Sequence, residues 1–400
     1  MFDLGRRGRF SVALVFALAC LLAVSCAPKA AKPVSEMDTP EHHFFTGMKL
    51  LNQERFDEAQ VEFVRAVELD PKYAKAYVGT ALVKAYQKDF TSAFKQLETA
   101  WDNARKDDEK VFVHVGYIRV NTMSKAACVR IGTDCEQDRG WLDKCRDEFS
   151  KAVAIDPKSS AAYYYMGLAY KTALDFVKAG EMFARVMEIK GELTAEADVQ
   201  WKLVQDIQRA MPGTITGKKI ALLDKITRAD AAALFLEELR IDILYAKRTP
   251  KTFDTSFKDP AKAASVGTAP ATASDIAVHP LRADIEAILG LGVRGLEKRP
   301  DGSFGPEDFV NRAEYAMMIE DILIKVTGDN SLATKYIGST SPFPDLRSDL
   351  PYFNSVMVVT SRGIMQAKTI ATGEFAPLDT VSGVEALLII KKFKEELKFF

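Results

Sequence analysis

The sequence is poor in the residues that build reactive centres. Its 400 residues include four histidines, five cysteines and three tryptophans. So few imidazoles and thiols leave little material for a metal site. His42 and His43 are adjacent, His114 falls in a helical stretch, and His279 precedes Pro280 at a helix start; none has a partner close in sequence. No GxSxG, HExxH, CxxC or P-loop pattern occurs. The nearest approach to a phosphate loop runs from Gly213 to Lys219. It has three residues between its glycines instead of four, and no Ser or Thr after the lysines. These absences point to a protein without catalytic, cofactor or metal chemistry. Charge of one sign is also missing: 54 basic and 55 acidic side chains give a net −1. Nucleic-acid binding needs a basic excess, so that class is excluded for the chain as a whole. What remains is a globular composition, 48% hydrophobic and 27% charged, of a length suited to two or three domains.

One long apolar run is present, Phe10 to Ser25, behind a positive flank of Arg6, Arg7 and Arg9. It is short for a membrane span and has the pattern of a secretory signal, so residues 1–25 are set apart from the fold. The run ends Leu22-Ala23-Val24-Ser25-Cys26, which resembles the lipobox of bacterial lipoproteins. The resemblance implies cleavage before Cys26 and acylation of its thiol and new amino terminus. That family favours Leu where Ala23 stands. An ordinary signal peptide with an incidental cysteine, a second site at Cys20 and an uncleaved anchor are the other readings. Ala27 stands where a retention aspartate would, so the resemblance implies the outer membrane of a Gram-negative-type envelope, facing the periplasm. Loss of Arg6, Arg7, Arg9 and Asp3 leaves 51 basic and 54 acidic residues, a net −3. Residues 26–40, rich in Pro, Ala and Lys, read as a tether able to reach on the order of 40 Å.

A helical repeat follows over 41–211. Gly47, Ala59, Phe63, Ala66 and Pro71 occupy positions 8, 20, 24, 27 and 32 of a 34-residue unit starting at residue 40. Small residues at 8 and 20 let two helices approach, a large one at 24 fills the groove between neighbours, and proline stops the second helix. Tyr77, Ala81, Ala93, Leu97 and Ala100 repeat the pattern, and Tyr163, Gly167, Tyr170, Ala179 and Phe183 begin it again. In the unit between, the small residue arrives eighteen positions late, at Cys145, so about 124–140 is an insert. Cys145 then reads as a core cysteine. Cys128 and Cys135 lie in the insert and are the preferred disulfide in an oxidising compartment, free thiols being the other reading. Residues 194–211 have helical spacing with no second helix after them, as the cap of an array requires. The pattern resembles the tetratricopeptide (TPR) repeat. That implies a concave groove for a protein or peptide, with Phe44, Met48, Val78, Leu82, Tyr164 and Leu168 as candidate lining. Packing is the alternative role for the aromatics of Tyr163 to Tyr165.

From 213 to 400 the rhythm changes. Ile226-Thr227-Arg228-Ala229-Asp230 and Val310-Asn311-Arg312-Ala313-Glu314 each open a helix, and Val381-Ser382-Gly383-Val384-Glu385 is a weaker third copy. Turn-rich stretches around Asp301-Gly302-Ser303-Phe304-Gly305-Pro306 and Gly373-Glu374-Phe375-Ala376-Pro377 precede the last two. Thr227 and Asn311 suit N-caps, with Asp230 and Glu314 closing capping boxes. Together these features resemble the S-layer homology (SLH) domain, in units at about 213–245, 275–328 and 341–398. An arginine in the first turn of a helix opposes the macrodipole, so something else must favour Arg228 and Arg312. The resemblance implies that they line grooves contacting cell-wall glycan with anionic groups, which suit a guanidinium fork. A salt bridge between units is the competing role. The third copy lacks the arginine, having Ser382-Gly383, and residues 250–275 replace a regular opening of the second unit.

The expectation is an all-α chain, a TPR α-solenoid followed by an SLH-like module. It would be a non-enzymatic lipoprotein whose partners are the membrane through its lipid anchor, a cell-wall glycan such as peptidoglycan or an attached polysaccharide, and an unidentified protein. The alternative is an envelope or secretion assembly cofactor that works through protein contacts alone.

Overall fold

The computed structural model describes residues 30–131, 140–248 and 272–398, with the backbone alone at 128–131 and 247–248. The chain is mainly α-helical; among the described residues there is no strand, only isolated bridges. None of the described helices is long and apolar enough to cross a membrane. These residues divide into two compact units. One runs to Ala173 and resumes over Glu181–Ala197; the other comprises Leu174–Gly180 and the chain from Asp198 onward.

The first unit is built from helices in sequence-adjacent pairs: α1 (Pro40–Asn52) with α2 (Phe56–Leu69), α3 (Ala74–Tyr86) with α4 (Phe90–Asn103), and α5 (Asp107–Ile131) with α6 (Trp141–Ile155). Then come α7 (Ser160–Thr172) and α8 (Phe176–Ile189), the latter in the first unit from Glu181; α9 (Thr194–Ala210) belongs to the second unit from Asp198 onward. Starts are set locally. Thr39 accepts from the His42 N–H ahead of Pro40, Asp89 accepts from Ser92 N–H, and Ser159 accepts from Ala162 N–H. Packing follows the small and large positions. Phe63 is fully buried between Gly47 and Gly79, where an added Cβ would lie 2.6 and 2.4 Å from its ring. Gly167 meets Phe183 in the same way at 2.6 Å. Burying such a ring contributes about 1.5–3 kcal/mol. Cys145 is fully buried, its Sγ 3.7 Å from the Ile118 carbonyl, as a small core residue of α6. The insert at 124–140 begins as a continuation of α5, which reaches Ile131. The chain ahead of α1 is not all tether: Ala31 N–H donates to Glu68 O, and Asp38 accepts from Val34 N–H and Arg65.

The second unit carries α10 (Ile215–Ile220), α11 (Arg228–Ala233) running into a π-helical turn (Leu234–Glu238), and α12 (Ile241–Arg248). They are followed by α13 (Arg282–Leu291), α14 (Arg312–Thr327), a 3-10 turn (Asn330–Thr334), α15 (Phe353–Ser361) and α16 (Gly383–Leu397). Its centre is a closed ring of backbone hydrogen bonds. Ile226 N–H donates to Val381 O (2.9 Å), Val381 N–H to Val310 O (3.0 Å), and Val310 N–H to Ile226 O (3.0 Å). The three side chains are fully buried. Each residue stands two before the first residue of α11, α14 or α16, so the ring places three helix starts around a pseudo-threefold axis.

Candidate functional site

Each helix start on this ring faces the turn of the next copy. The first two are capped alike: Thr227 with Asp230, and Asn311 with Glu314, form complete capping boxes. Arg228 N–H donates to Asp308 O and Arg312 N–H to Asp379 O. Their guanidinium groups then enter equivalent sockets. Arg228 Nε donates to Phe304 O (2.9 Å) and Nη2 to Glu297 O (3.0 Å), with Nη1 on Gly295 O. Arg312 Nε donates to Phe375 O (2.8 Å) and Nη2 to Gln366 O (2.6 Å). The Arg228 and Arg312 guanidinium carbons stand 4.7 and 4.6 Å from the ring centroids of Phe304 and Phe375.

The walls of these sockets are held by one carboxylate each. Asp275 accepts from Phe304 N–H and Gly305 N–H, both at 2.8 Å. Asp345 accepts from Phe375 N–H (2.9 Å) and Ala376 N–H (2.6 Å). Asp275 thus performs in the second copy what Asp345 of Phe343-Pro344-Asp345 does in the third, although Ala273 replaces the phenylalanine.

The third socket is closed. Ile220 stands eight residues before Arg228, as Phe304 and Phe375 stand before Arg312 and Gly383. Here the turn is replaced by the end of α10, and a Cβ on Gly383 would lie 1.7 Å from Ile220 O. That carbonyl is backbone and cannot swing aside, so the third copy has glycine where the others have arginine. The loop that looked like a phosphate loop serves this closure. Gly213 N–H, Thr214 N–H and the Thr214 hydroxyl all donate to the buried Glu238 carboxylate (2.8–3.1 Å). The cradle is filled by the protein's own carboxylate, which pins α10 in place.

The two arginines differ in their surroundings. Arg228 is half-buried and ends on carbonyl oxygens. Arg312 is 3% exposed and also contacts Glu385, which in turn pairs with Lys368 (3.2 Å). Burial pushes the Arg312 guanidinium down, to about 10, against the pull of Asp379 and Asp345; it remains cationic at neutral pH. Burial likewise lowers Arg228 and Lys368, with repulsion from Arg299 and Arg312 respectively adding to it. A cavity of about 610 Å³ opens beside Arg312 and Glu385. Ile364, Met365, Leu388 and Ile389 form an apolar wall, and Lys368, Lys391, Lys392 and Arg209 bring positive charge. Part of that charge is engaged: Lys391 Nζ donates to Arg209 O (2.6 Å), and Lys392 pairs with Glu395 (3.0 Å). Neither Glu385 nor the lysines were singled out in the sequence. Glu385 shares its register with Asp230 and Glu314, so spacing assigns it to capping.

The candidate groove in the first unit is partly corrected by burial. Val78 and Leu82 are 1% and 0% exposed and belong to the core; Val78 packs where α5 presents Gly116. Phe44 and Tyr164 are half-buried in aromatic clusters, Phe44 against Phe112 (5.5 Å) and Tyr73 (5.9 Å), and Tyr164 against Tyr165 (5.2 Å) and Phe183 (5.9 Å). Met48 and Leu168 are partly exposed. Cys26 and Cys135 lie outside the described residues, and Cys128 is described in backbone alone, so the proposed lipidation and disulfide fall outside them too.

A family model described as S-layer homology domain matches residues 296–316. That stretch holds the Phe304 turn, Val310 of the central ring and the start of α14 with Arg312. An S-layer homology domain associates the protein with the cell surface or envelope and points to wall or surface anchoring. No curated protein matches the chain.

Proposed function

We propose that this is a lipid-anchored envelope tether. In this reading Cys26 carries acyl chains in the outer membrane, the second unit binds an anionic cell-wall glycan, and the helical repeats of the first unit hold a protein partner. The observation that carries the glycan part is the cavity beside Arg312. It combines a buried guanidinium, a lysine rim and an apolar wall of Ile364, Met365, Leu388 and Ile389, which suits a sugar ring bearing an acid group. The register of Gly47, Ala59 and Phe63, matching the TPR pattern, supports the repeat assignment, and partly exposed Met48 and Leu168 leave apolar surface for a partner.

The test is co-sedimentation of the full chain with purified sacculi, with and without attached polymer. Binding that depends on the polymer assigns the ligand to it; binding to bare sacculi assigns it to peptidoglycan. Failure to sediment with either would sink the glycan reading. Cys26→Ser is expected to release the protein from membranes, and continued membrane association would refute the anchor. The closed third socket favours a second reading, an assembly cofactor acting through protein contacts, because at most two of three sockets can take a ligand.

A further inference from the structure

Glu385 departs from its two counterparts in a way that capping does not require. Asp230 and Glu314 turn back and accept from the N–H of their own N-caps, Thr227 (2.9 Å) and Asn311 (3.0 Å). Ser382 caps α16 in the same manner, accepting from Glu385 N–H (3.3 Å). Yet the Glu385 side chain points the other way, spanning Arg312 Nη1 and Lys368 Nζ. The socket architecture does not need it there. At Arg228 the same positions end on the carbonyls of Phe304, Gly295 and Glu297. Glu385 therefore adds a planar carboxylate to a guanidinium and an ammonium at the edge of the 610 Å³ cavity, beside its apolar wall.

We infer that Glu385 is an internal stand-in for the acid group of the ligand: it occupies the Arg312–Lys368 cation pair and yields it to the carboxylate of an acidic sugar. This rests on the glycan reading above. The displaced side chain has a place to go, because turning back toward the Ser382 N–H would complete the capping box that Glu314 makes at Asn311. A ligand must then carry its own anion to be worth the exchange. A neutral sugar would leave Glu385 in place and find only the apolar wall. The residue thus sets specificity for charge at the cost of affinity, since every binding event displaces one charge-assisted contact by another.

The test is isothermal titration of the full chain with N-acetylmuramic acid as the carboxylate-bearing probe and N-acetylglucosamine as the neutral one. Glu385→Gln is expected to bind the acid sugar about tenfold more tightly than the wild type, with affinity for the neutral sugar unchanged. Glu385→Asp, one methylene shorter, is expected to fall between, and it guards against a misfolded glutamine variant; thermal unfolding of both verifies the fold. Equal or weaker binding of the acid sugar by both variants, with the wild type still binding it, overturns the stand-in role and leaves the glycan reading intact. Absence of binding by all three proteins overturns the stand-in role, and the glycan reading then stands or falls on the co-sedimentation with sacculi.

Discussion

Gly383→Ala is a perturbation for which local and tertiary reasoning give opposite signs. Gly383 is the first residue of α16, and replacing a helical glycine by alanine ordinarily stabilises by up to about 1 kcal/mol. The tertiary structure reverses this. The new Cβ would stand 1.7 Å from Ile220 O and 2.5 Å from the Ile220 carbonyl carbon, both backbone atoms. Ordinary contact needs roughly twice the first distance, so α10 or α16 must move by more than an ångström. Overpacking of this kind costs about 1–3 kcal/mol. Such a shift also strains the Gly383 N–H to Leu223 O hydrogen bond (2.8 Å), worth about 1 kcal/mol. Against a propensity gain near 1 kcal/mol, the net loss is about 1–3 kcal/mol, or roughly 2–10 °C in the melting temperature of a unit this size. Calorimetry of the full chain measures it, and hydrogen exchange locates it: α10 and α16 are expected to lose protection while α1 to α4 do not. An alanine variant as stable as the wild type would refute the argument that the third socket is sterically closed.

Four other outcomes are expected. Lys368→Gln combined with Lys392→Gln removes cavity charge without touching the central ring, and should reduce co-sedimentation with sacculi several-fold while leaving the melting temperature within about 2 °C. Arg312→Ala, by contrast, strips the Phe375 and Gln366 carbonyls and Glu385 of a buried partner, so it should cost about 3–5 kcal/mol in denaturant unfolding, more than Arg228→Ala at its half-exposed socket. Asp275→Asn leaves one of the Phe304 and Gly305 amides facing an NH2 group and should destabilise the second unit by about 1–3 kcal/mol, read by the same unfolding curve. The last concerns pH. Arg65, with help from Val34 N–H and His43, holds the Asp38 carboxyl well below the usual carboxylate range. A depressed folded-state value means that its contribution is complete above about pH 4 and is lost as pH falls through the lower value. Exchange protection of the Ala31 and Val34 amides is therefore expected to fall below about pH 4, and Asp38→Asn should reproduce the loss at neutral pH.

Several elements were legible from local spacing because local physics fixes them. Thr227, Asn311 and their acidic partners three residues on specify helix starts, and the structure places complete capping boxes there. Small residues at Gly47 and Gly167 opposite Phe63 and Phe183 follow from a fixed helical period, and burial of both rings bears that out. The single substitution of arginine by Gly383 was visible too, though not its cause. Other residues were assigned a face that spacing does not fix. Val78 and Leu82 sit at helical positions that point to a groove in a regular array, but α3 is enclosed by its neighbours and buries them. The Gly213 loop had the composition of an anion cradle, yet its anion comes from Glu238, twenty-five residues away in sequence.

What the sequence determined by itself is therefore periodic and short-range: the helices, their caps, and the repetition of a motif three times in the C-terminal half. Those depend on neighbours three or four residues apart, which propensity and register report directly. The tertiary structure decided how the socket of each copy is filled. Arg312 became buried and met Glu385 seventy-three residues later, Arg228 kept a half-exposed socket, and Gly383 met the end of α10. Each outcome turns on ångström-scale contacts across the ring formed by Ile226, Val310 and Val381, and no local pattern encodes the distance between atoms that meet only when that ring closes.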